Sequence, residues 1–261
     1  MGYEDYTIGR GKVYLAMMPD ENTVGGDWRF VGNTTSFKLG TNPTKKEHFA
    51  STSRFKTKDR SIVLGVDYNF EMITDNINSE NGAMFFSNSK STLTQAVVAS
   101  STEIIGPILA GHSYQLGVSL AAPSGLMGID PAGFAVAVSP GGTALVEDVD
   151  YVMDFTSGMI HFLPGSILAV DAESIDVTYA VLGTTRDVII SSETQINASV
   201  KFIADNPSGP NRNWYIPKAA ISPTGDYVIQ SDSEDWQTVT FAVEALKLSG
   251  YNIAEANGEP V

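Results

Sequence analysis

The stretch SIVLGVDYNFEM, residues 61–72, alternates apolar and polar side chains almost without a break. Ile62, Leu64, Val66, Tyr68, Phe70 and Met72 fall on one face. Ser61, Gly65, Asp67, Asn69 and Glu71 fall on the other, with Val63 as the apolar exception. Successive side chains of an extended strand point to opposite sides, so this period of two predicts a long β-strand with one face on a core and one in water. The pattern recurs in DVIISSETQINASVKFIA, where Val188, Ile190, Ile196, Ala198, Val200 and Phe202 oppose Glu193, Gln195, Asn197, Ser199 and Lys201. It recurs again in WQTVTFAVEALK, where Val239, Phe241 and Val243 oppose Thr238, Thr240 and Glu244. GKVYLAMM, WRFVGNTTSFKLG, NWYIPKAAISP and DYVIQS read as further strands, with Pro217 and Pro223 marking edges or ends. NSENGAMFFSN predicts one short helix capped by Ser79. The expected class is mainly β, with antiparallel sheets.

Charge divides the chain in three. Residues 1–100 hold 11 basic and 11 acidic side chains; residues 101–185 hold nine acids and no Lys or Arg; residues 186–261 hold five bases and ten acids, for a total of -14. Within the acidic third, HSYQLGVSL, GFAVAVSP, TALVEDVDYVMD, GMIHFL and SIDVTYAVL are short strand-like runs separated by Gly/Pro turns. They predict an inserted small all-β unit over 107–183, splitting a discontinuous domain of 1–106 and 184–261. There are no cysteines, which removes disulfides, thiolate metal sites and cysteine nucleophiles together. No apolar run approaches the roughly 20 residues of a membrane-spanning helix, so no membrane partner is expected. MGYEDYTIGRGK lacks the apolar segment of a signal peptide.

The motifs of catalysis are weak. GRGK at Gly9–Lys12 lacks phosphate-loop spacing and leads into a strand. His48, His112 and His161 are far apart in sequence and lack metal-ligand spacing. EDVDYVMD brings Glu147, Asp148, Asp150 and Asp154 close in sequence, but without the glycine turn or closing Glu of a calcium loop; in a strand Asp148, Asp150 and Asp154 are its wet side. No Gly-x-Ser-x-Gly nucleophile motif occurs. No enzyme activity, cofactor or metal is expected.

One stretch stands apart. Residues 41–60, TNPTKKEHFASTSRFKTKDR, carry Lys45, Lys46, Arg54, Lys56, Lys58 and Arg60 against Glu47 and Asp59. Read as a loop, its length marks it as functional. Phe49 and Phe55 could stack on nucleic acid bases, but the acidic remainder of the chain repels phosphate. A basic loop on an acidic body suits docking on an identical neighbour, and a head-to-tail contact of that kind builds open stacks.

The ordered set of GRGKVYLA, RFVGNTTSFKLGTNPTKKEHFAST, KDRSIVLGVDYNFEM, NSENGAMFFSN, DYVMDFTSGMIHFL, VKFIADNPSGPNRNWYIPKAAISPTGDY and DWQTVTFAVEALK resembles the tail tube (major tail) protein of long-tailed, non-contractile bacteriophages. The resemblance implies a tail-tube fold whose curved sheets join into one oligomeric β-barrel. It implies six-fold rings stacked around a tape-measure protein, capped by tail terminator and distal tail proteins, and a lumen through which double-stranded DNA passes without specific binding. The location implied is the virion tail, with assembly in the host cytoplasm. By the same resemblance 41–60 is the inter-ring contact loop, with contacts from Lys45, Lys46, Phe49, Arg54, Phe55, Lys56, Lys58 and Arg60. The wet strand faces, Asp67, Asn69, Glu71, Glu193, Gln195, Asn197, Thr238, Thr240 and Glu244, would line the lumen, and 107–183 would lie on the exterior. Two alternatives stand beside it: a monomeric β-sandwich binding module, for carbohydrate or with hydrolase activity, and the tube protein of a contractile injection system.

Overall fold

The computed structural model describes residues 6–258 except 53, 88–89, 141 and 167–173. In chain order the strands and helix are β1 (Gly11–Met17), β2 (Arg29–Phe30), β3 (Thr34–Ala50), β4 (Thr57–Thr74), α1 (Ser79–Phe85), β5 (Ser91–Gln95), β6 (Val98–Ile105), β7 (Ser113–Gln115), β8 (Ile129–Val138), β9 (Tyr151–Asp154), β10 (Met159–Phe162), β11 (Ile175–Val181), β12 (Thr184–Val188), β13 (Ile196–Ala204), β14 (Arg212–Thr224), β15 (Val239–Ala245) and β16 (Glu255–Gly258). The fold is mainly β, as the alternation predicts. The chain forms two compact units, Met1–Ser91 with Val188–Val261, and Thr92–Asp187.

The first unit is one antiparallel sheet in the order β2-β1-β13-β14-β15-β4-β3, with β16 also paired to β14. Its apolar face curls on itself. Phe37 of β3 stacks on Phe202 of β13 at 5.8 Å between ring centroids, although β14, β15 and β4 separate their strands in the sheet. Strand twist carries the sheet into that curl. Inside it lie Val13, Leu15, Phe70, Met72, Val200, Ile216, Phe241 and Val243, all buried. The alternation of WQTVTFAVEALK is therefore realised over β15: Val239, Phe241 and Val243 are buried.

Strand β14 has two partners in succession on one side. Arg212–Tyr215 pair with β16, and Ala219–Thr224 pair with β15. Pro217, which has no N–H to give a ladder, sits in the gap between them. Helix α1 begins one residue earlier than the expected Ser79 cap: the Asn78 side chain accepts from Asn81 N–H. Asn81 is itself buried, donating to the carbonyls of Val31 and Asn76 and accepting from Arg29.

Two expected strands differ. Residues 187–204 form β12 and β13 rather than one strand, because Thr194 N–H turns back onto the Ser192 hydroxyl at 3.2 Å and Ser192 N–H donates to the Phe86 carbonyl. Such local side-chain bonds compete with a ladder. DYVIQS is irregular; the turn at Gly225, with φ +79°, ends β14, and the Tyr227 ring packs on Phe85 and Phe86.

In the second unit a β6-β11-β8 sheet and a β7-β10-β9 sheet share a core that includes Ile129, Val136, Ile175, Val177, Tyr151, Ile160 and Phe162. The unit is wider than the expected 107–183. Strand β6 pairs along β11 from Ile105↔Ile175 to Val98↔Val181, so it belongs with the inserted unit. The paired strands β5 and β12 carry the chain in and out. The reading of Asp148, Asp150 and Asp154 as one wet strand face is corrected as well. Asp148 and Asp150 lie in a turn, and the buried Asp150 carboxylate accepts from Val146 N–H and the Ser166 hydroxyl. Asp154 ends β9 and holds the next turn through Thr156 and Ser157.

Candidate interaction surface

The basic segment is not a loop. Strands β3 and β4 pair from Thr34↔Thr74 out to Ala50↔Thr57, so residues 41–60 are the far half of a hairpin. Strand β15 reaches only as far as the Glu244↔Asn69 pair, and beyond it the two strands run on with no third strand among the described residues. Residues 38–49 and 57–67 are exposed throughout. The result is a free arm: ten residues at about 3.3 Å each project about 30 Å. Lys45 and Lys46 stand on β3, Lys58 and Arg60 on β4, and Arg54, Phe55 and Lys56 at the turn. Cross-strand pairs hold it together: Glu47 with Lys58, and His48 Nδ1 with Asp59 at 2.6 Å.

Period-two reading assigns Ile62, Leu64 and Val66 to a core face, yet all three are exposed. The core simply ends before them. The register also slips between Thr44↔Gly65 and Lys45↔Val63, so Val63 joins Val66 and Pro43 on the face that continues from Phe37 and Leu39. A bulge of this kind is invisible to alternation because it inserts one residue into one strand.

At the arm's root the curled sheet is open. Phe37, Leu39, Phe70, Phe202 and Trp214 line a hollow of about 230 Å³. Phe70 is buried, Phe37, Phe202 and Trp214 are half-buried, and Leu39 is exposed at the mouth. Phe37 stacks on Phe70 at 5.4 Å and Trp214 meets Phe70 edge-on at 6.0 Å.

On the sheet's other face the register brings most of the predicted polar residues together. Asn69, Glu244, Ala220 and Asn197 form one cross-strand row. Lys38, Glu71, Ala242 and Ser222 form the next, with Lys38 Nζ 3.2 Å from the Glu71 carboxylate. Thr240 pairs with Thr224 beyond, and Asp67 follows along β4. Glu193 and Gln195 lie in the segment before β13 and Thr238 just before β15, outside the strands. Gln195 still reaches the face, donating to Asn197 at 3.0 Å.

Sequence reasoning missed the cover on part of this face. Ser199, read as wet, is fully buried: its hydroxyl donates to the Pro217 carbonyl at 2.7 Å and accepts from Gly25 N–H at 2.9 Å. Gly25 lies so close to β1 that a Cβ there would clash with the Ala16 carbonyl. Beside it Phe30, Tyr14, Lys201, Tyr215 and Glu255 form one in-register row. Lys201, the base among acids, sits with its ammonium 4.2 Å from the Trp28 ring centroid and 5.6 Å from that of Tyr215, a cation–π arrangement. Burial, then the charges of Tyr251 and Glu255, push the Tyr215 phenol above its usual range. The glycine pair Gly25–Gly26 followed by an aromatic was the available signal.

Among the described residues no group of three or more His, Asp or Glu is placed to hold a metal, and no helix is long and apolar enough to cross a membrane. Residues 6–195 match the family described as "Protein of unknown function UCP028589". A search of curated proteins finds no match.

Proposed function

The chain belongs to that family, whose description assigns no role, and we propose from the geometry that it is a self-assembling structural protein, the tail tube protein of a non-contractile phage tail. Copies join edge to edge into six-fold rings, and the β3–β4 arm ties each ring to the next. The arm carries this reading. A two-stranded ribbon without a covering layer is marginal in water, and this one exposes Phe49, Phe55, Ile62, Val63 and Leu64 beside six cations. Such a surface gains its stability from a partner. The open outer edge of β3 and the two-residue β2 at the opposite end of the sheet supply unpaired backbone groups for lateral joining. The face bearing Asp67, Asn69, Glu71, Asn197, Thr240 and Glu244 supplies a polar, acid-containing lining along which DNA slides without sticking.

The test is assembly. Purified protein, followed over a concentration series by size exclusion and negative-stain microscopy, forms rings or tubes. A monomer at every concentration defeats the proposal.

A further inference from the structure

We infer that the aromatic hollow at the arm's root is the receptor for the arm tip of a second copy, with Phe55 seated between Phe37, Leu39, Phe70, Phe202 and Trp214. The inference rests on the assembly reading above and names both halves of its contact. Three observations support it. First, size and chemistry match. The hollow measures about 230 Å³; an apolar cavity of about 150 Å³ already binds benzene, so a phenyl ring fits. Every wall residue is apolar, and aromatic rings in edge-on and stacked contacts favour another ring over a sugar or an ion.

Second, the tip presents the ring. Phe55 is 75% exposed and Phe49 47% exposed, at the end of an arm whose strands stay paired to Ala50↔Thr57. A ribbon about 30 Å long cannot fold its own tip onto its own root while those pairs persist. The ring that enters the hollow therefore comes from another copy.

Third, charge selects the partner. Residues 41–60 carry +4, so the remaining residues of the same chain carry -18. A cationic tip is drawn to that body at long range, and the apolar seat then fixes the register.

The absence of native cysteine makes a clean test. Lys56→Cys chains, which keep the Phe55 ring, and Leu39→Cys chains are prepared separately, mixed under assembly conditions and oxidised. A disulfide-linked pair containing one chain of each kind is the expected product, in clear excess over a Lys56→Cys mixture with Ser231→Cys, an exposed site elsewhere. Tubes that form from the mixture without that excess overturn the seat while leaving the assembly reading in place. Lys56→Cys chains linking mainly to one another mean tip-to-tip pairing and overturn it as well. Monomers throughout overturn both. As a second readout, Phe55→Ala lowers tube yield at least tenfold, whereas Phe55→Trp, which keeps an aromatic ring, restores part of it; equal yields for both variants count against the seat.

Discussion

Ser199 shows how one side chain can close a sheet to water. Its hydroxyl satisfies Gly25 N–H and the Pro217 carbonyl at once. Ser199→Ala leaves both groups buried and unpaired, at a cost of about 1–3 kcal/mol, read as a lower urea midpoint with little change in slope. Alternation marked Ser199 as wet because a period of two records direction, not what lies on top; the covering segment comes from 174 residues away in sequence. A second residue-scale prediction concerns Tyr179, which is buried and donates to Glu103 at 3.0 Å. Burial first, then the Glu103 charge, push its phenol up to about 12 from an ordinary 10. A raised folded value favours the neutral form, so this contribution to stability is complete below pH 10 and disappears as pH rises through 12. Tyr179→Phe therefore flattens the alkaline loss of stability between those values, measured by unfolding of the second unit at stepped pH. A loss as steep as in the parent chain removes Tyr179 as its source.

At the scale of the element, the arm concentrates what sequence can and cannot reveal. Its charge and its two phenylalanines were legible in residues 41–60; the long loop, on which the functional reading of its length depends, is not what forms there. Its regularity was not legible, since Thr41–Ala50 contains Pro43 and two adjacent lysines, poor strand formers whose pairing depends on the β4 partner. Replacing Lys45, Lys46 and Lys56 with Glu keeps the fold, because all three are exposed and the Glu47–Lys58 pair of the arm is left in place. A single exposed pair contributes only about 0–1 kcal/mol, but the proposed ring repeats it at every subunit. The threefold variant is thus expected to stay folded by circular dichroism and to form no tubes. Salt acts in the same direction: the Debye length falls from about 10 Å at 0.1 M to about 3 Å at 1 M, so tube elongation slows as salt rises. Elongation indifferent to salt removes the electrostatic part of the contact, leaving the apolar part standing.

The whole molecule is two cores on one chain, and the charge break near residue 101 falls close to where one gives way to the other. The boundary was harder. Strand β6 straddles the start of the acidic third at residue 101, and its partner β11 lies near the far end; a pairing across about 75 residues leaves no local mark. The difference has an experimental edge. Replacing 92–187 with a short Gly/Ser bridge removes no strand of the curled sheet and is expected to leave a folded, assembling chain. Replacing 107–183 removes β8 and β11 from β6 and leaves its edges bare, a recipe for aggregation. If the second deletion is as soluble as the first, strand β6 is not held by the inserted unit.

The order of strands in the curled sheet also sets a timetable for synthesis. In the ladder of the sheet, β1 and β2 connect to β3 and β4 through β13, β14 and β15, which are synthesised after all four and after the inserted unit. The inserted unit holds its own core within Thr92–Asp187, and domains fold as units while translation proceeds. Its strands are all synthesised before β13, β14 and β15 can close the host sheet. A chain interrupted before β15 therefore has an arm, but nothing joins β13 and β14, which carry Phe202 and Trp214, to β4 and β3, which carry Phe70, Phe37 and Leu39, so the hollow is not assembled. In the proposed assembly the seat for a neighbour is complete only once β15 is in place, so copies that lack it are not built into a growing polymer.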